Sequence, residues 1–305
     1  MSKIQKAIHK IEKLKSAEQE NAPMLPLGKV VSERVARGDL GDETQRLATI
    51  DESKLQYRIA IDREALRRAG FIAPEDEERV LVDQYRQIKR PLIAHAFGKR
   101  ATKIADGHLI LVSSAIAGEG KTFTCINLAL SLAREQDRSV LLVDADVAKS
   151  HITRLFGAQD RPGLLDLLDI DTDLDLQDTI LSTDIKGMSV MTSGKMRTNS
   201  TELLASERME SVIRALSAQD PHRIVLFDSS PLLMTSEARI LTTLVGQVVL
   251  VVAAEQTPQQ AVLDAIATVD EGKPVNLVLN QARHTNGTGY YGYGYGYTPE
   301  GKNNE

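Results

Sequence analysis

The sequence predicts an α/β fold: a doubly wound, largely parallel sheet with a helical N-terminal extension and a flexible tyrosine- and glycine-rich C-terminal tail. Three observations carry this. Six short apolar runs, at 109–112, 140–143, 189–192, 224–227, 248–252 and 275–279, alternate with stretches of helical periodicity, as parallel strands buried on both faces do. The first run leads straight into a glycine-rich loop and then an apolar helix. Two of the later runs stop at aspartates. In such sheets ligands bind beyond the carboxyl ends of the strands, so residues 113–122, 144–149 and 228–231 are expected to share one crevice.

The elements follow in chain order. Within residues 1–20, Ile4, Ala7, Ile8, Ile11 and Leu14 form one helical stripe ringed by Lys3, Lys6, Lys10, Lys13 and Lys15. This basic amphipathic helix suits an anionic membrane surface, a partner helix or a solvated terminus. Residues 21–79, with Pro23, Pro26, Gly28, Gly38 and Gly41, read as a polar linker with short helical pieces. A helix is predicted from 75 to 96, where Val80, Leu81, Tyr85, Ile88 and Leu92 alternate with charged positions. The core domain is placed at 80–284 and the tail at 285–305.

The stretch Ser113 to Thr122 has the spacing A-x-x-x-x-G-K-T, with Ala115 where the commonest phosphate-loop pattern has a glycine. Gly118 and Gly120 let backbone N–H groups turn inward around a phosphate, Lys121 adds a mobile positive charge and Thr122 offers a hydroxyl to Mg²⁺. The candidate nucleotide-binding residues are therefore Ala117, Gly118, Glu119, Gly120, Lys121, Thr122 and Phe123. Asn280, ending the last apolar run, is a candidate for the adenine edge or for a turn. Asp144 and Asp146 follow one strand and Asp228 another; with Thr122 and phosphate oxygens they are candidate Mg²⁺ ligands, since that ion takes hard oxygen donors and needs no histidine.

Composition narrows the options. A net charge of −5 gives no reason to expect nucleic-acid binding. The lone cysteine, Cys125, excludes an internal disulfide and reads as a core residue, and the six histidines lack metal-ligand spacing. With no apolar run long enough to span a bilayer, a cytoplasmic protein is expected.

The loop, the acidic motif Leu141-Leu142-Val143-Asp144-Ala145-Asp146 and the later Leu226-Phe227-Asp228-Ser229-Ser230-Pro231 together resemble the bacterial protein-tyrosine kinases, which use a P-loop NTPase fold. The segments Gly163 to Leu168, Ser193-Gly194 and Thr201 to Ser206 resemble that family too, in the same order. Partition-type and division-positioning ATPases of the same superfamily carry an extra lysine five positions before the loop lysine; Ile116 stands there. Ala148, Ser150 and Ser230 depart from the family pattern without touching the phosphate and metal ligands.

The resemblance implies ATP and Mg²⁺ as cofactors, Lys121 at the phosphates and Asp144 or Asp146 beside the phenolic proton, with Tyr290, Tyr291, Tyr293, Tyr295 and Tyr297 as the autophosphorylated acceptors. Alternating glycine denies that tail a stable helix or core. The resemblance also implies a homo-oligomer held partly by a helix patterned E-x-x-R-x-x-R, of which Asp83, Arg86 and Lys89 form a conservative variant. Its implied partners are a separate transmembrane chain-length regulator of polysaccharide export, which would hold the protein peripherally at the inner membrane, and a tyrosine phosphatase. The N-terminal layout looks closest to the exopolysaccharide-associated tyrosine autokinases.

Overall fold

In a computed structural model the structure describes residues 30–31, 57–71, 75–99 and 102–282. The basic helix at 1–20 and the tyrosine tail at 285–305 lie outside these residues. A nine-stranded sheet forms the centre, in the order β1-β2-β5-β6-β4-β7-β3-β8-β9. The strands are β1 (Val30–Val31), β2 (Tyr57–Ile59), β3 (Leu109–Ser114), β4 (Ser139–Asp144), β5 (Ile180–Thr183), β6 (Met188–Met191), β7 (Arg223–Asp228), β8 (Gln247–Ala253) and β9 (Val275–Asn280). All pairs are parallel except β1 with β2 and β5 with β6. All six strands expected from apolar runs are present, and each extends by a residue or two at one or both ends or shifts by one.

The sheet is covered on both faces, as its apolar central strands require. One cluster gathers Ile110, Val112, Val140, Leu142, Ile224 and Leu226 with the helix Lys121–Leu132; the other gathers Leu109, Leu111, Leu141, Val143, Val225 and Phe227 with the helix Glu207–Gln219. Alternate side chains of one strand thus feed opposite layers, which fixes register, because a slip of one residue would exchange the two sets.

The long helix Glu75–Phe97 matches its prediction within one residue and packs on the helix Lys121–Leu132 through Leu92 and Tyr85. Burial raises the Tyr85 hydroxyl well above its ordinary pKa. The region expected as a linker, 21–79, is not uniform. Tyr57–Ile59 adds a parallel strand to β5, the helix Arg63–Arg68 follows, and Ile59, Ile61, Leu66 and Phe71 enter the core. Asp184 fixes this segment by accepting from Ile61 N at 2.9 Å. The folded body therefore begins before residue 80. Its burial comes from a pairing with a strand more than a hundred residues away, which local polarity does not encode.

Candidate active site

Register brings the site together. Asp144 of β4 stands opposite Asp228 of β7, and Asp228 in turn opposite Val112 of β3, so the phosphate loop begins two residues beyond the acidic pair. The loop closes on the helix Lys121–Leu132, whose first backbone N–H groups face the same mouth. Gly120 has φ of +88°, and a Cβ there would lie 2.1 Å from Asn280 Nδ2, so both conformation and space exclude a side chain.

The ionic groups are buried, and each has at least one polar partner. Each of the three aspartates is at most 1% exposed and Lys121 is 9% exposed. Lys121 Nζ lies 2.9 Å from Asp146 Oδ2, and the Thr122 hydroxyl donates to Asp228 Oδ2 at 2.7 Å. Asp144 Oδ2 accepts from both the backbone N–H and the hydroxyl of Thr153, at 2.8 and 2.7 Å. Thr153 Oγ1 accepts from Ser193 N at 3.0 Å, tying the helix His151–Leu155 to the end of β6.

Burial raises Asp144 to about 6 and Asp228 to about 7, against the pull of Thr153 on the first and of Lys121 on the second. Burial also works against the charged form of Lys121, but the attraction of Asp228, Asp146 and Asp144 prevails and its pKa is raised. One oxygen of each acid, Oδ1 of Asp144, Asp146 and Asp228, is buried without a hydrogen-bond partner. Such atoms are expensive unless something binds them. Among the described residues no three His, Cys, Asp or Glu side chains are spaced to hold a metal by themselves.

Other sequence candidates take supporting positions. Ala117 and Gly118 form the exposed tip of the loop. The Glu119 carboxylate turns inward, accepting from Ile116 N at 2.7 Å, from Ala253 N at 3.4 Å and from the Thr257 hydroxyl. Asn280 Nδ2 donates to Glu119 O at 2.8 Å and Gln281 Nε2 to Gly118 O at 2.9 Å, so the end of β9 braces the loop from behind. The Phe123 ring meets Phe71, centroids 5.5 Å apart. Asp83 pairs with Arg86 on an exposed face, whereas Lys89 is buried, donating to Ser131 O at 2.7 Å and pairing with Glu135.

Sequence reasoning missed Thr153, Asp166 and Arg197. Asp166 accepts from Gly163 N and Lys195 N, both at 3.1 Å, and Arg197 bridges Asp166 and Asp169 at 3.3 and 2.6 Å, pinning the loop after β6. The motif segments Gly163 to Leu168 and Ser193-Gly194 pointed to this junction, though not to the partners within it.

Comparison with known proteins decides the family. A family model described as an AAA domain matches residues 107–279, more than half of the chain. The chain is 30% identical over 228 residues to the tyrosine-protein kinase YwqD of Bacillus subtilis, an alignment covering 73% of this chain and 91% of that one. The chain belongs to the bacterial tyrosine-protein kinases. The kinase is also 29% identical over 200 residues to the tyrosine-protein kinase ptk of Acinetobacter johnsonii, covering 65% of this chain but only 26% of that longer protein. Among solved structures, the kinase domain of VpsO superposes with a TM-score of 0.57 at 27% identity, covering 69% of this chain and all of that one. The kinase is thus a nucleotide-binding enzyme on a P-loop scaffold. No helix among the described residues is long and apolar enough to cross a membrane.

Proposed function

We propose that this kinase transfers the terminal phosphoryl group of ATP to its own tyrosines Tyr290, Tyr291, Tyr293, Tyr295 and Tyr297, in trans within a homo-oligomer, and that this cycle regulates exopolysaccharide synthesis or export. The observation that carries the reading is the convergence of Lys121, Thr122, Asp144, Asp146 and Asp228 on one crevice, in a chain that holds five phenols within eight residues.

ATP phosphates on the loop amides draw Lys121 away from Asp146, since a polyphosphate offers more charge than one carboxylate. Thr122, Asp144 and Asp228 fit Mg²⁺ through their hydroxyl and partnerless oxygens. When bound, that ion neutralises charge on the β- and γ-phosphate oxygens. Asp146, released by Lys121, takes the phenolic proton, since a phenol of pKa about 10 needs a base as its oxygen attacks. Burial of the site excludes water that would otherwise compete for the phosphoryl group.

Each phosphotyrosine adds about −1.5 to −2 charges, so full modification adds roughly −8 to −10 to the tail and favours dissociation of the oligomer. The family resemblance supports a separate transmembrane chain-length regulator as activator and a tyrosine phosphatase as the resetting enzyme, with the kinase held peripherally at the inner membrane. Incubation with Mg-ATP followed by mass spectrometry of the terminal peptide tests the core of this. Phosphate on 290–297 in the wild type and none in Lys121→Met supports it; none in either, with the membrane activator present, leaves a nucleotide-binding scaffold.

A further inference from the structure

The reaction needs a surface that presents a phenol to the acidic strand β4. Sheet order sets β4 between β6 and β7, parallel to both, so the loops leaving β6 and β7 flank the Asp144 and Asp146 mouth on either side. Each loop carries one exposed methionine. Met196 is 70% exposed between β6 and the helix Ser200–Leu204, and Met234 is 61% exposed between β7 and the helix Ser236–Leu244. The other large exposed apolar side chains among the described residues, Ile170, Leu263, Leu277 and Leu279, lie outside these two loops.

Neither loop owes its exposed methionine to slack. Arg197 anchors the first to Asp166 and Asp169, and Arg239 Nε donates to Leu232 O at 2.9 Å in the second. The two helices that follow are joined, with the Thr201 hydroxyl donating to Glu237 Oε1 at 2.6 Å. Two exposed thioethers thus stand on anchored loops that leave the strands on either side of β4.

We infer that Met196 and Met234 form an apolar rim that receives the tyrosine rings of residues 290–297 of a second copy of this chain. The tail's composition argues for this occupant. Residues 286–299 contain no Asp, Glu, Lys, Arg or His, so charge cannot guide them to the site, and their recognisable features are aromatic rings and backbone. Thioether sulfur makes favourable contacts with aromatic rings and adapts to several ring positions, which suits five acceptors spaced along a glycine-rich segment. A phosphorylated ring carries a near-dianion that an apolar rim does not solvate, so the same surface releases product.

This inference rests on the reading of the tail as acceptor, and its test separates the two. The catalyst is the full chain with its five tail tyrosines changed to Ser, and the acceptor is the full Lys121→Met chain at varied concentration. Changing both rim residues, Met196→Ser with Met234→Ser, is expected to raise the acceptor KM by about tenfold, with kcat and the affinity for a fluorescent ATP analogue unchanged. Met196→Leu with Met234→Leu is expected to restore most of the loss. An unchanged KM, or a fall in kcat alone, overturns the rim. Absence of tail labelling with the unaltered rim overturns the acceptor reading itself, and the rim with it.

Discussion

The ammonium of Lys121 and the carboxylate of Asp146 sit 2.9 Å apart in a buried mouth, the one at the end of the phosphate loop and the other two residues past the end of β4. The pair ties the phosphate loop to the segment that follows β4. Lys121→Met is therefore expected to do two things. Tail phosphorylation falls by at least ~100-fold because charge stabilisation at the transferring phosphoryl is lost. Asp146 loses its counter-ion, so nucleotide-free Lys121→Met unfolds at a lower urea concentration than wild type at pH 8.

Stability should depend on pH in an unusual direction when nucleotide and metal are withheld. Asp144 and Asp228 are raised to about 6 and about 7 in the folded chain, above the ordinary 3.8 of the unfolded one. The folded state then binds more protons than the unfolded state between those limits, so these groups' contribution is full below about pH 4 and is lost as pH rises through 6 and 7. In EDTA, the melting temperature is expected to fall between pH 5.5 and 8. Asp228→Asn should flatten that slope; an unaltered slope would remove Asp228 from the account.

Glu119 acts as a staple of the loop. Glu119→Ala strands Ile116 N and takes the acceptor of the Thr257 hydroxyl, while Ala253 N keeps Thr257 Oγ1 at 3.2 Å; the loss costs about 1–3 kcal/mol and loosens the turn. Equilibrium unfolding should register that loss, and titration with a fluorescent nucleotide should show affinity reduced by about tenfold.

Gly120→Ala faces two obstacles, the positive φ and the amide of Asn280. The first costs about 1–2 kcal/mol on its own. Combining Gly120→Ala with Asn280→Ala removes the collision but not the torsional strain, so nucleotide affinity should recover in part. Full recovery would show that the torsion carries no cost there.

On the long helix, Lys89 and Arg86 are expected to behave differently despite their common motif. Lys89→Met breaks the contacts to Ser131 O and Glu135 and should lower monomer stability by about 1–3 kcal/mol. Arg86→Ala leaves stability within about 0.5 kcal/mol and, where this face joins subunits, shifts the sedimentation coefficient instead.

Central strands and strand-end acids were legible because both are local. An apolar run such as Val140 to Val143 announces burial on two faces, and an aspartate at its end can only emerge at the carboxyl edge. β5 was hidden because its burial is not written in hydropathy: Ser182 and Thr183 are buried, with hydroxyls satisfied by Tyr57 O at 3.3 Å and Met188 O at 2.8 Å. Glu119 read as a ligand-facing loop residue because its acceptors' donors, Ala253 and Thr257, stand more than 130 positions away. Thr153 was silent because its meaning lies in its partners, Asp144 nine positions before it and Ser193 forty after it.

The contact of Phe71 with Phe123 has a practical reach. Phe123 is the third residue of the helix that leaves the phosphate loop, so a fragment cut at the start of the long helix would bare that ring together with the sites vacated by Ile59 and Leu66. Such a piece is expected to aggregate when expressed, and the shortest excision that stays dispersed should begin upstream of Tyr57.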